Sequence, residues 1–417
     1  MPTVVLLGTL DTKGQEYAFV RDRLRTADVE VVVVDVGVLG EPAFPPDVSR
    51  AEVATAAGVD HQSLVDAADR GRAVAAMAEG AIAVVGELRA RGRLDAALAF
   101  GGTGGTSIAA AAFRQLPLGI PKVIVSTAAS GDTYPYVGET DLVLVPSVVD
   151  IAGVNRISAP ILANAAAAVA GMVTAPALPQ MAERPLVAAS MFGVTTPCVT
   201  AGRATLEELG YEPLVFHMTG VGGRTLESLA AQGLLAGIFD MTTTELADEL
   251  VGGVFSAGPD RLVSAGLPGV PRVVSVGALD MVNFGPKDTV PERFRDRNLY
   301  VHNPTVTLMR TTPEECRELG ARLAQRVSLG TAPTAVFLPL RGVSAIATEG
   351  GPFYDPAADA ALFEAIRAGL GDGGKAGQVE LVELDTDIND PEFARAAARR
   401  LHDLINERER DATLHAD

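Results

Sequence analysis

Tryptophan is missing from this 417-residue chain, and cysteine occurs only at Cys198 and Cys316. Two cysteines so far apart exclude a disulfide scaffold, and the chain reads as one from a reducing compartment, the cytoplasm. Basic residues are also short. Lys and Arg number 34 against 52 Asp and Glu, a formal charge of -18. That balance argues against nonspecific binding to nucleic acid or to an anionic membrane. It leaves an anionic ligand open, because backbone N–H groups bind phosphate without side-chain charge. No apolar run suits a bilayer: APILANAAAAVAGMV is too short and too rich in alanine. The N-terminus enters TVVLLG without a basic segment or cleavage site, so no signal peptide is expected. The five histidines show no H-x-x-x-H spacing, and no metal site is expected from them.

What is present is a strand–helix alternation. Apolar runs of strand length fall at 3–8, 30–36, 95–100, 122–127 and 142–146, then at 186–192, 213–218, 236–239, 272–277, 299–302, 334–338 and 379–384. Runs such as VEVVVVD are continuously apolar, as expected of strands covered on both faces. Alternation with Ala/Leu/Arg-rich helical runs predicts mostly parallel, doubly wound sheets. The halves echo one another: VVLLGTLDTKGQEYAFVRDRL parallels LVAASMFGVTTPCVTAGRATLEEL, and GIPKVIVSTAASGD parallels GVPRVVSVGALDMV. The expectation is an α/β protein of two Rossmann-like domains, an internal duplication. Their bounds are 1–175 and 186–405, with a proline-rich linker at 176–185 and a polar tail at 406–417.

Ligands of open α/β sheets bind beyond the carboxyl ends of the strands, so the loops there matter most. In the first half these carry Thr9, Asp11, Thr12 and Lys13; then Gly101, Gly102, Thr103, Gly104, Gly105 and Thr106; then Ser126, Ser130, Gly131 and Asp132. Glycines before a helix expose backbone amides to anionic oxygens, and the helix dipole adds attraction. Lys13 suits a terminal phosphate, and Asp11 or Asp132 a magnesium ion or a ribose hydroxyl. The alternative is that the glycines serve tight helix–strand packing. GGTGGT matches no P-loop pattern, and GTLDTKG after the first strand lacks the dinucleotide spacing, which sets a dehydrogenase aside.

The second half carries Thr195, Thr196 and Cys198, then His217, then Asp240, then Asp280, then His302, then Arg341. His217, Asp240, Asp280 and His302 are candidates for proton transfer, and Thr195, Thr196 and Arg341 for holding a carboxylate or phosphate. Histidines that merely end strands are the alternative. Cys198 sits at a helix start, where thiols are activated, or packs as a small residue. The segment 278–315 reads as a long, loop-rich stretch with alternating Arg293, Arg295 and Arg297, suited to an anion or to a solvated face.

The blocks VVLLGTLDTKGQE, FGGTGGTS, VSTAASGDT, FGVTTPCV, SVGALDMVNFGP and HNPTVTLMRTTPEE together resemble the Tm-1-like family, also called UPF0261, from Thr3 to near Asp387. The resemblance implies two Rossmann-like domains, ATP bound in the first, and a homodimer. Carried over, the ATP phosphates lie on Gly101–Thr106, flanked by the Thr9–Lys13 and Ser126–Asp132 loops, with Mg2+ as companion. Plant members continue into a TIM-barrel-like domain, not expected here and a candidate partner chain. Two functions follow. One is an ATP-binding enzyme of small-molecule metabolism with a second site at the domain crevice; the other is a nucleotide-responsive protein without catalysis.

Overall fold

Both parallel sheets expected from the sequence are present in the computed structural model, which describes residues 1–176, 183–263, 269–371 and 379–414, with side chains to residue 410. The chain divides into two units, Met1–Gln180 and Met181–Asp417. Of the stretch read as a linker, residues 177–182 lie outside the described residues.

The first unit runs β1 (Thr3–Gly8), α1 (Leu10–Arg25), β2 (Glu30–Asp35), α2 (Arg50–Ala56), α3 (His61–Ala67), α4 (Arg70–Ala90), β3 (Ala96–Gly101), α5 (Thr103–Phe113), β4 (Lys122–Ser126), α6 (Tyr134–Val137), β5 (Val143–Pro146) and α7 (Ser158–Thr174). Its five strands are parallel in the order β2-β1-β3-β4-β5. Val5 and Leu7 of β1 enter a core shared with α2, α4 and α5, while Val4 and Leu6 enter one shared with α1 and α7. Both faces are therefore dry, which explains the unbroken apolar runs. The strand order reverses between β1 and β3. There the Tyr17 hydroxyl lies 2.7 Å from the Leu7 carbonyl and 2.8 Å from that of Phe100. A Cβ on Gly8 would sit 1.8 Å from that hydroxyl, so only glycine ends β1.

The second unit runs β6 (Leu186–Met191), α8 (Thr196–Glu208), β7 (Glu212–His217), α9 (Val221–Ala231), β8 (Gly237–Thr242), α10 (Glu245–Val251), β9 (Arg272–Gly277), β10 (Met281–Phe284), β11 (Leu299–Asn303), β12 (Val306–Arg310), α11 (Pro313–Val327), β13 (Thr334–Pro339), α12 (Pro356–Leu370), β14 (Val379–Leu384) and α13 (Pro391–Leu414). Its parallel sheet has the order β14-β13-β9-β8-β6-β7. Counted by appearance this repeats the first sheet and adds one strand, so the sequence echo has a topological counterpart.

Two expectations change. The loop-rich 278–315 stretch contains a three-stranded antiparallel sheet, β10-β12-β11, of which only β11 was expected. Buried Asn283 and Arg310 interrupt the apolar pattern of β10 and β12. The polar tail is also helical through Leu414, because its Glu/Arg-rich sequence favours helix without needing burial. Among the described residues no helix is long and apolar enough to cross a membrane.

Candidate functional site

The ends of β1, β2 and β3 open onto a cavity of about 590 Å³ at the point where the strand order reverses. Thr9, Asp11, Thr12 and Lys13 line it after β1, Gly37, Val38 and Leu39 after β2, and Gly102–Gly105 after β3. Leu64, Ala73, Val74 and Ile108 form an apolar wall, and Asp69 and Arg70 stand at the start of α4. The volume falls within the ordinary range of small-molecule sites.

Helix α5 begins at this cavity with Gly102 in the capping position and no side-chain cap. Its first intrahelical amide is that of Thr106, which donates to the Gly102 carbonyl at 2.9 Å. The amides of Thr103, Gly104 and Gly105 precede it and have no helical acceptor. Helix α1 also starts without a side-chain cap, whereas Ser49, Asp60 and Asp69 cap α2, α3 and α4.

The four glycines of this turn can be tested individually. A Cβ on Gly101 would lie 3.4 Å from the Gly105 Cα, and one on Gly102 3.8 Å from the Thr127 hydroxyl. On Gly104 it would lie 3.5 Å from the Arg70 guanidinium, and on Gly105 4.0 Å from the Phe100 carbonyl. These are ordinary contacts, and none of the four has a positive φ. Packing demands glycine at Gly14, whose Cβ would stand 2.2 Å from that of Ala43, but not in this turn. The missing side chains instead leave the first amides of α5 bare.

Charged groups around the cavity divide into engaged and free. Asp11, with a side chain 7% exposed, accepts from the Val38 and Leu39 amides and lies 3.8 Å from Arg50; its Oδ1 is buried without a hydrogen-bond partner. Asp35 accepts from the Leu10 and Gly37 amides and pairs with Arg50 at 2.7 Å, so this acid at the end of β2 fastens the loops. The Lys13 ammonium donates to the Ile151 carbonyl, and among the described residues no acid pairs with it. Arg70, which the sequence reading passed over, makes neither a hydrogen bond nor an ion pair among the described residues. The Thr9 and Thr12 hydroxyls lie 2.8 Å apart.

Other expected residues lie elsewhere. Gly101 and Thr106 do not line the cavity; the Thr106 and Ser126 hydroxyls are buried 2.7 Å apart and join α5 to β4. Ser130, Gly131 and Asp132 do not line it either, and Asp132 accepts from the Tyr134 amide. Asp11 and Asp132 thus serve backbone amides. Among the described residues no group of three His, Cys, Asp or Glu could hold a metal.

In the second unit the candidates do not converge. Asp240 is 1% exposed and grips Arg261 through both oxygens, at 2.6 and 2.7 Å. Arg261 also bonds Glu245 at 2.8 Å. Asp240 is therefore the anchor of a buried ion network rather than a free base. Asp280 is fully buried and accepts from the Ser344 hydroxyl at 2.8 Å; burial raises its carboxyl to about 6. His217 ends β7 beside Phe192, ring centroids 5.2 Å apart, and desolvation lowers its imidazole below the usual range. His302 is exposed on β11 of the other sheet. Thr195 is buried against Thr242, Thr196 donates to the backbone at Phe192, and Arg341 pairs with Asp385 on the surface. Burial drives the Cys198 thiol far upward, so it packs rather than reacts. The three arginines separate too: Arg297 bonds Glu315, Arg295 bonds Glu292, and Arg293 covers the Phe294 ring.

The start of α9 shows the opposite design to α5. One Glu245 oxygen accepts from the Gly220 and Gly223 amides at 2.7 and 3.0 Å. A Cβ on Gly223 would stand 1.9 Å from the other oxygen, so this glycine makes room for a carboxylate of the chain itself.

The model of the Uncharacterised protein family (UPF0261) N-terminal domain matches residues 2–177, and that of the C-terminal domain residues 184–405. A UPF0261 protein of Clostridium tetani is 49% identical over 402 residues, covering 96% of this chain and 98% of its own. UPF0261 protein RA0729 of Rhizobium meliloti is 46% identical over 406 residues, covering 97% of this chain and 100% of its own. The ToMV resistance protein Tm-1(GCR237) of Solanum lycopersicum is 41% identical over 416 residues, covering 95% of this chain but 55% of its own. Matched in both halves and along nearly its whole length, the chain belongs to the UPF0261, or Tm-1-like, family.

Proposed function

We propose that the Met1–Gln180 unit binds a nucleotide, ATP, with its phosphates on the bare amides of Thr103, Gly104 and Gly105. The observation that carries this reading is the set of four glycines that neither packing nor backbone conformation requires. A helix start kept free of side chains suits a phosphate, whose oxygens take the amides and meet the positive end of the dipole. The wall of Leu64, Val74 and Ile108 suits a base, and Leu39 stands 77% exposed at its edge. Mg2+ would accompany the phosphates, since Asp11 serves backbone amides and Asp69 caps α4.

The nucleotide acts in this proposal as an effector rather than as a consumed substrate. Among the described residues no imidazole lines the cavity, and both of its carboxylates accept from backbone amides. The acid/base candidates of the second unit are dispersed as well. Homodimerisation and a TIM-barrel-like partner belong to the same proposal through family resemblance, and a cytoplasmic location through the two isolated cysteines.

Calorimetric titration of the full chain with ATP, with and without Mg2+, followed by an overnight assay for ADP, tests it. Saturable binding without ADP release is the expected result. Binding with turnover would favour the enzyme instead, and absence of binding would refute the nucleotide reading.

A further inference from the structure

We propose that Arg70 is the phosphate-reading side chain of the β1–β3 cavity and makes it prefer a polyphosphate over a monophosphate. The inference rests on the nucleotide reading above and adds to it the residue that selects the ligand by charge.

Arg70 is the first residue of α4, a helix of 21 residues. Cations are disfavoured at that end, where the dipole is positive. The adjacent cap, Asp69, accepts from the Arg72 amide, and Arg70 makes no hydrogen bond or ion pair among the described residues. Arg50, Arg261, Arg310 and Arg341 hold carboxylates, whereas Arg70 keeps its guanidinium clear of any acid among the described residues at the wall of the cavity. Arg70 is exposed, so an anion arriving from solvent can reach its guanidinium without first displacing an acid of the chain.

Its position identifies where. The Arg70 Nη2 atom lies 3.5 Å from the site a Cβ on Gly104 would occupy, so the guanidinium overhangs the bare first turn of α5. Lys13, on α1, lines the same cavity with only a carbonyl as partner. Two cations thus reach one phosphate seat from two different helices. Ala68, which joins α3 to α4, is held at φ 47° despite its side chain, a strained conformation of the kind concentrated at functional sites. Asp11, whose side chain is nine-tenths buried, also lines the cavity, and its Oδ1 has no hydrogen-bond partner among the described residues. A planar guanidinium bonds two phosphate oxygens at once, and its share of the attraction grows with ligand charge.

The test titrates the full-length chain with ATP, ADP, AMP and inorganic tripolyphosphate, alongside Arg70→Ala and Arg70→Lys. Arg70→Ala should weaken ATP and tripolyphosphate by about tenfold or more, as expected for loss of a charge-assisted bidentate contact. AMP should weaken less, and the ligand-free melting temperature should hold or rise. Arg70→Lys should recover part of the loss, as charge returns without the fork. ATP and tripolyphosphate affinities within twofold of the parent would overturn the role of Arg70 while leaving the nucleotide site standing. Equal losses for AMP and ATP would overturn the selection by charge. A parent protein that binds none of the four probes would overturn both readings.

Discussion

Gly104→Ala and Gly105→Ala pull stability and binding in opposite directions. Each added methyl group meets only ordinary contacts, at 3.5 Å from Arg70 and 4.0 Å from the Phe100 carbonyl. Alanine is favoured over glycine by roughly 1 kcal/mol inside a helix, and about half of that is expected in a first turn. For a unit of this size the melting temperature should therefore rise by about 1–2 °C per substitution. On the nucleotide reading, the same methyl would stand where a phosphate oxygen approaches the amides, and losing one charge-assisted hydrogen bond costs about 1.5–3 kcal/mol. The ATP dissociation constant should then increase by about tenfold to a hundredfold. Calorimetric scans of the ligand-free variants give the first quantity and isothermal titration the second. A melting temperature lowered by several degrees with unchanged ATP affinity would show that the glycines serve packing, and the argument from the bare helix start would fall.

Three further outcomes follow from the second unit. Asp240→Asn should destabilise it by about 3 kcal/mol, because Arg261 loses its bidentate partner inside the core, while ATP affinity in calorimetry stays unchanged. Burial holds the Asp248 carboxyl at about 7, above its unfolded range, so its stabilising protonation is complete below about pH 4 and is lost as pH rises through 7. Asp248→Asn should flatten the fall in denaturant stability between about pH 4 and pH 7; an unaltered slope would refute that assignment. Neither Cys198 nor Cys316 should react with a thiol reagent before unfolding, since both are buried and burial raises both thiols; rapid labelling of the native protein would contradict the packing described here.

The sequence made most of the parallel framework legible because each strand is a local, continuous apolar run. The turn Gly102–Gly105 was legible for the same reason: its composition, the strand before it and the helix after it are contiguous. Arg70 was not. It lies more than thirty residues upstream as one of many surface-type arginines, and only the approach of α4 to α5 gives it meaning. Asp240 looked like a strand-end acid, but its partner Arg261 follows in a segment with no pattern to announce it. Strands β10 and β12 escaped because Asn283 and Arg310, polar yet buried, find partners in Asp248 and Asp359. Alternation arguments assume that buried positions are apolar, and they fail where a distant carboxylate compensates a buried donor.

The Glu245 carboxylate on the α9 amides has a consequence for how the two units respond to supply. It is a tenant tied to the chain, always present at the same local concentration. Among the described residues the start of α5 has no side-chain cap, so on the nucleotide reading its amides are met by what the surroundings provide, and stability from a bound ligand grows with the logarithm of its concentration. Heating the protein across a nucleotide series should accordingly shift one transition and leave the other fixed. On the nucleotide reading proposed above, a cell short of nucleotide would loosen one unit of this protein while the other kept its form.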